Sequence, residues 1–245
     1  MIAIFGPTGV GKTGVAIELA EMLRTRGEEP VAISCDALQV YKGLETLTGV
    51  ATAAQREKLE HRLVGFVPVT EPFSVGNYMP LAHAEVDAAL AAGRTPIVVG
   101  GTGLYLRAAL AELSLVKAEP ESEDSELWSP VTRHPTTIFG LDMERAQLYE
   151  RIDARVEAIV AAGAAEEARR AEALGPSRTA RKALGFDELL ADDLDLMKKR
   201  SRNYARRQLT WQRKIPNLHG IDRTDRSDTA VATEILGSMG RFREI

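Results

Sequence analysis

Eight residues near the start of the chain, Gly6-Pro7-Thr8-Gly9-Val10-Gly11-Lys12-Thr13, follow G-x-x-x-x-G-K-[ST] in full. A short apolar run, Ile2 to Phe5, leads into them and a helical pattern leads out, which is the context the motif requires. These residue types in this order make an anion cradle. The glycines let successive backbone N–H groups turn inward. The start of the helix adds partial positive charge. Lys12 supplies a full charge, and the Thr13 hydroxyl can hold Mg²⁺. A glycine-rich turn that binds nothing is the plain alternative, and the agreement of motif with context weighs against it. The cradle fixes a diphosphate or triphosphate as ligand and leaves the reaction open.

Two further places carry chemistry. Asp36 ends a second apolar run, Pro30 to Ser34. In an open α/β sheet that edge is where ligands sit, and a carboxylate there can bind Mg²⁺ or accept a proton from a nucleophile. It can equally be a turn or N-cap residue. Gly100-Gly101-Thr102-Gly103 ends a third run, Pro96 to Val99. Three glycines around a threonine suit close backbone approach to a ligand, or simply a tight strand-to-helix turn. Near the C-terminus, Lys198 to Lys214 holds eight basic residues and no acidic one, with Tyr204 and Trp211 interleaved. That composition suits phosphate contact with base stacking. A solvated helix face over a buried aromatic stripe is the alternative.

The elements that must position these groups alternate between strand and helix. Val15, Leu19, Met22 and Leu23 form one helix face ending at Gly27, and Ser74 caps a helix carrying Leu81, Ala82, Val86, Ala89 and Leu90 that stops at Gly93. Residues 104–112 read as helix, Thr136 to Leu141 as a fourth strand and Leu218 to Asp222 as a last one. This order predicts an α/β fold: a P-loop NTPase-like parallel sheet with helices on both faces and a helical C-terminal part. Residues 1–141 read as the core, with acid-rich Lys117 to Ser125 an exposed connector. Residues 142–245 read as a mainly helical part that completes the core and the candidate nucleic-acid face, with the stripe Leu148, Ile152, Val156, Ile159 and Val160 ending at Gly163. The chain has 245 residues, net charge −4 and a single cysteine, Cys35. No internal disulfide is possible, and no apolar run approaches the roughly 20 residues of a membrane helix. The start lacks the pattern of a signal peptide, so a cytoplasmic location is expected. The net charge argues against a generic nucleic-acid binder but allows a local basic face.

Taken together, Gly6 to Thr13, Asp36-Ala37-Leu38-Gln39-Val40-Tyr41-Lys42-Gly43 and Val99 to Leu106 resemble the tRNA dimethylallyltransferase family. Ala183-Leu184-Gly185-Phe186-Asp187-Glu188-Leu189 and Tyr204-Ala205-Arg206-Arg207-Gln208-Leu209-Thr210-Trp211 extend the resemblance over most of residues 1–222. The resemblance implies that the cradle, Thr8 to Thr13, holds the diphosphate of dimethylallyl diphosphate, with Thr13 on Mg²⁺. It implies that Asp36 is the general base toward an adenine amine beside the anticodon of tRNA, and that Thr102 touches the substrates at the reaction centre. Lys182 falls where members carry a residue near the diphosphate. Asp36, Ala37, Leu38, Gln39, Arg206, Arg207 and Gln208 fall in segments that touch the RNA. A monomer is expected.

The sequence also departs from the family. Members carry a helical insertion after the Gly-Gly-Thr loop that grips the anticodon stem-loop, whereas here only residues 112–134 join that loop to the next strand. Leu47-Thr48-Gly49-Val50-Ala51-Thr52 replaces a Gly-Thr-Ala-Lys-Pro run, and Glu60-His61-Arg62-Leu63 keeps part of a His-His-Leu. The short insertion fits an enzyme prenylating free adenine nucleotide; the tyrosine-to-tryptophan helix fits tRNA. A small-metabolite kinase using ATP would leave both C-terminal motifs unexplained. A non-catalytic RNA-binding remnant would bind tRNA without turnover.

Overall fold

The computed structural model describes residues 1–114 and 126–242. The expected connector Lys117 to Ser125 lies outside the described residues. In chain order the elements are β1 (Ile2–Phe5), α1 (Lys12–Arg24), β2 (Pro30–Ser34), β3 (Tyr41–Lys42), α2 (Glu45–Thr48), α3 (Ala53–Lys58), β4 (His61–Arg62), β5 (Val67–Pro68), α4 (Val75–Ala91), β6 (Thr95–Gly100) and α5 (Gly103–Leu110). They continue with β7 (Thr137–Asp142), α6 (Arg145–Ala161), α7 (Ala164–Ala173), α8 (Phe186–Leu190), α9 (Leu194–Gln212), β8 (Leu218–Asp222) and α10 (Asp228–Phe242).

Six strands form one sheet in the order β4-β2-β6-β1-β7-β8, and every pair in it is parallel. Parallel strands need crossovers, and the crossovers cover both faces. The alternation of β1 shows how. Ile2 and Ile4 belong to the core beneath α1, α6 and α10, while Ala3 and Phe5 belong to the core beneath α4 and α5. All four residues are buried, as a central strand requires. Because the strands run one way, the segments after β1, β2, β6, β7 and β8 all emerge on one edge.

The two-residue strands β3, β4 and β5 were not expected, since so short a run carries no period to read. Leu81 departs from the expected apolar face of α4: it is 39% exposed, while Tyr78, Ala82, Val86 and Ala89 make the buried stripe. Ser74 caps that helix as expected, accepting from the Asn77 N–H. The core continues past residue 141. β8 pairs with β7, and α10 packs on α1 through Val231, Ala232, Ile235 and Leu236, so the C-terminus completes the sheet core. A third core joins Val40, Tyr41, Leu44, Val67 and Val69 to α7, α8 and Met197 of α9. Among the described residues no helix is long and apolar enough to cross a membrane.

Candidate active site

The segments after β1, β2 and β6 converge, with α6 and α9, on a cavity of about 710 Å³ at the C-terminal edge of the sheet. Its wall includes Thr8, Gly9, Gly11, Lys12 and Thr13 of the cradle together with Asp36. Gly9 and Gly11 take φ of 80° and 91°, a left-handed turn that an L side chain enters only with strain. The turn folds the loop around Lys12, whose ammonium donates to the Gly6 and Pro7 carbonyls at 2.9 Å each. Burial pulls the Lys12 pKa down to about 8, with nearby Asp36 opposing that shift.

The C-terminal helices brace this loop from outside. The Thr8 N–H donates to Gln208 Oε1 at 2.8 Å. Arg151 Nε donates to the Gly9 carbonyl at 3.1 Å. The buried Arg223 donates to the Val10 carbonyl and pairs with Asp228 at 2.7 Å. The other end of the Gln208 amide donates to the Gly101 carbonyl at 2.8 Å. One side chain of α9 thus ties the cradle to the glycine loop after β6. Gln208 is buried with both amide ends engaged by protein, and it also lines the cavity.

The glycine loop also differs from its expected use. A Cβ on Gly100 would lie 2.6 Å from the Cys35 backbone, on Gly101 it would meet Gln208 and Gly6, and on Gly103 the Trp211 ring. These glycines admit neighbouring protein, not a ligand. Thr102 accepts the Ala37 N–H at 3.2 Å, and the Tyr204 hydroxyl lies 3.5 Å away. Burial first, then Asp36, pushes the Tyr204 phenol well up, which keeps it neutral. Asp36 Oδ1 accepts the Leu38 N–H at 2.9 Å. The turn this makes is the modest reading of Asp36, and it coexists with the cavity-facing position.

Leu38 and Gln39 line the cavity. Gln39 is held by the Ser34 hydroxyl at 3.0 Å and the Gly49 carbonyl at 3.1 Å. Lys182 is exposed in the 3₁₀ turn Ala180–Lys182 and does not line the cavity, so the expected diphosphate contact is not made by this placement. Arg206 and Arg207 are exposed on α9, with Arg207 5.5 Å over the Tyr204 ring. Trp211, read as either stacking or core, packs on Gly103 and the Trp128 ring.

Two arginines of the cavity wall escaped the sequence reading. Arg151 and Arg155 project from α6 into the cavity wall on either side of Ile152. The Arg155 guanidinium donates to the Thr48 carbonyl at 3.2 Å and packs on Gly49. Its pKa is lowered by burial, with Asp36 opposing. The available signal was their spacing of four along the stripe that carries Ile152 and Val156.

A model of the IPP transferase family matches residues 39–132 and 116–215, and one of the isopentenyl transferases matches residues 1–68. The tRNA dimethylallyltransferase of Kineococcus radiotolerans is 31% identical, covering 93% of this chain and 92% of that one. That of Rhodospirillum centenum is 35% identical over 87% and 88%. Among solved structures, the full-length tRNA isopentenylpyrophosphate transferase of Bacillus halodurans superposes with TM-score 0.83 at 27% identity, covering 99% and 97% of the two chains. A eukaryotic dimethylallyltransferase acting on tRNA shares the fold, with TM-score 0.82 at 21% identity, covering 100% of this chain and 79% of that one. The Kineococcus alignment runs over 292 positions against 245 residues here, so at least 47 positions of the relative have no counterpart. The two stretches matched by the IPP transferase model overlap at 116–132, which puts a break between α5 and β7.

Proposed function

The chain belongs to the IPP transferase family, and from that premise we propose that it moves the dimethylallyl group of dimethylallyl diphosphate onto the exocyclic amine of the adenine beside the anticodon in tRNA. The observation that carries the reading is the convergence of an anion cradle and Asp36 on one cavity, with Gln208 tying the cradle to the glycine loop that carries Thr102.

The chemistry follows from the charges. The bond from C1 of the prenyl group to oxygen breaks, and its electron pair leaves with the diphosphate. Allylic carbon tolerates the positive charge that develops. Lys12, Arg151 and Arg155 stabilise the departing anion in a site of low dielectric. The adenine amine forms the new bond to C1 and passes a proton to Asp36 as it does so. An adenine amine reaches such a cavity only when its base is extruded from the RNA stack. The Thr102 hydroxyl and the neutral Tyr204 phenol stand beside Asp36 as polar partners for that base.

Mg²⁺ fits the cradle, because the Thr13 hydroxyl is a hard oxygen ligand on the cavity beside the diphosphate it would share. When bound, Mg²⁺ would neutralise diphosphate charge. Every group named comes from one chain, in keeping with a monomer, and a tRNA substrate goes with a cytoplasmic location. Nucleoside mass spectrometry of tRNA incubated with the protein and dimethylallyl diphosphate tests the reading. A prenylated adenosine is expected, and its absence would refute the reading. Asp36→Ala should cut kcat by about 10²–10⁴-fold, the usual range for a general base, with the diphosphate still bound. Full activity would end the assignment.

The missing segment between α5 and β7 favours one competing reading, in which free AMP is the acceptor. Labelled donor offered with AMP and, separately, with tRNA separates the two.

A further inference from the structure

Three cations of α9 are already paired. In its first half, Lys198 pairs with Glu157 at 2.5 Å, Arg200 pairs with Glu188, and Arg202 pairs with Asp153 at 2.6 Å. Those charges bind the helix to α6 and α8 and are not free to hold a ligand. Farther along, Arg206 and Arg213 have no carboxylate partner among the described residues, and neither has Arg145 at the start of α6. Arg206 donates only to Asn203 Oδ1.

These three arginines surround one surface groove of about 320 Å³, with Tyr149 in its wall and Leu209 in its floor. One carboxylate, Asp142, joins them, and its Oδ1 already accepts the Met143 N–H at 2.8 Å. Three guanidiniums against one carboxylate make a site that favours an anion, and the planar fork of arginine matches phosphate oxygens in pairs.

Its position identifies the anion. Ser201, Tyr204 and Gln208 of α9 line the reaction cavity, while Arg206 and Leu209 of the same helix, with Arg213 at its C-cap, line the groove. One helix, about 10 Å wide with its side chains, separates the two. A free nucleotide with its base in the cavity cannot carry its own phosphate around that helix. A polynucleotide can, because its backbone continues on both sides of the inserted base. We propose that the Arg145–Arg206–Arg213 groove seats backbone phosphates of the RNA whose adenine enters the cavity across α9. The proposal rests on the RNA reading above and adds a docking surface on the opposite flank of the helix. Here the core itself holds the strand, in a chain whose connector after α5 is cut short.

The test is the binding of a fluorescent anticodon stem-loop RNA to the full chain over a range of salt. For Arg145→Gln/Arg213→Gln, affinity at about 0.1 M salt should fall roughly tenfold or more. The slope of log affinity against log salt should flatten by about 0.7–0.9 per phosphate contact removed. The melting temperature and dimethylallyl diphosphate affinity report folding independently. The paired Arg200→Gln should leave the slope unchanged. An unaltered slope in the double variant, or an equal loss in Arg200→Gln, overturns the groove. Prenyl transfer by the unaltered chain is scored separately. If RNA binds through the groove but no prenyl group is transferred, the groove stands and the reaction reading falls.

Discussion

Lys12 and Arg155 are two half-buried cations near one carboxylate, Asp36. That imbalance makes the empty cradle costly and the filled one favourable. Lys12 titrates near 8 in the folded protein against 10.5 when solvated. The folded state therefore binds fewer protons than the unfolded chain between those values, and stability of the unliganded protein should rise with pH across that window. Diphosphate affinity should move the other way. Above pH 8 the anion must recruit a proton to Lys12, so affinity falls by up to tenfold per pH unit. Titration calorimetry at pH 7 to 9.5 measures this, and Lys12→Met should abolish the slope that Lys12 contributes. Arg155→Met should weaken diphosphate binding about 10- to 100-fold, the scale of a charged hydrogen bond, without lowering the melting temperature. A clear thermal loss with unchanged diphosphate affinity would make Arg155 a structural residue. The cradle itself was legible because eight consecutive residues define it. Arg151 and Arg155 were not, because nothing in a helix pattern says which strand edge its polar flank will face. Lys182 shows the converse: its position in the motif suggested a diphosphate contact, and the fold leaves it outside the cavity wall.

At the scale of elements, α9 does the work of a brace. The sequence marked it as basic and aromatic, which is its outer surface. Its inner surface, where Ala205, Gln208 and Gln212 are buried, carried no such mark, since a lone glutamine in a polar run reads as solvated. Gln208→Leu leaves the Thr8 N–H and the Gly101 carbonyl without their partner, at about 1–3 kcal/mol for each buried group. With about 2–4 °C per kcal/mol for a chain of this size, the melting temperature should drop by several degrees. A merely structural role would stop there. A brace between donor and acceptor loops should also raise KM for dimethylallyl diphosphate and lower kcat. Gln208→Glu keeps the acceptor for Thr8 but loses the donor to Gly101, so it should restore KM more than kcat. Steady-state kinetics on both variants would show whether the two effects separate. The strands and their order were readable from apolar runs that end in glycine or aspartate. The two-residue β4 was not, yet it extends the sheet edge beside β2 and brings His61 to the cavity wall.

Over the whole molecule, three cores share one chain, and the third fastens residues 40–69 to α7 and α8. That packing closes the cavity on the side of Thr48 to Thr52, where the sequence departs from the family pattern. The other departure, the cut between α5 and β7, sits beside Trp128, which stacks on Trp211 with Lys214 5.4 Å over its ring. Arg107, fully buried in α5, donates to the Leu127 and Ser129 carbonyls at 2.9 and 2.7 Å and fixes that end of the connector. What remains for RNA is a compact body, with a radius of gyration of about 18 Å for a chain of this length. The arginines of the groove beside α9 lie across one helix from the cavity. On the proposed reading, the α9 face meets the anticodon arm alone. An isolated anticodon stem-loop should therefore be prenylated with a kcat/KM within about threefold of intact tRNA, a difference under 1 kcal/mol. Parallel assays with the two RNAs at one salt concentration decide it. A preference for intact tRNA above about 30-fold would require contacts beyond the α9 face, and the short connector would then not be the limit on recognition.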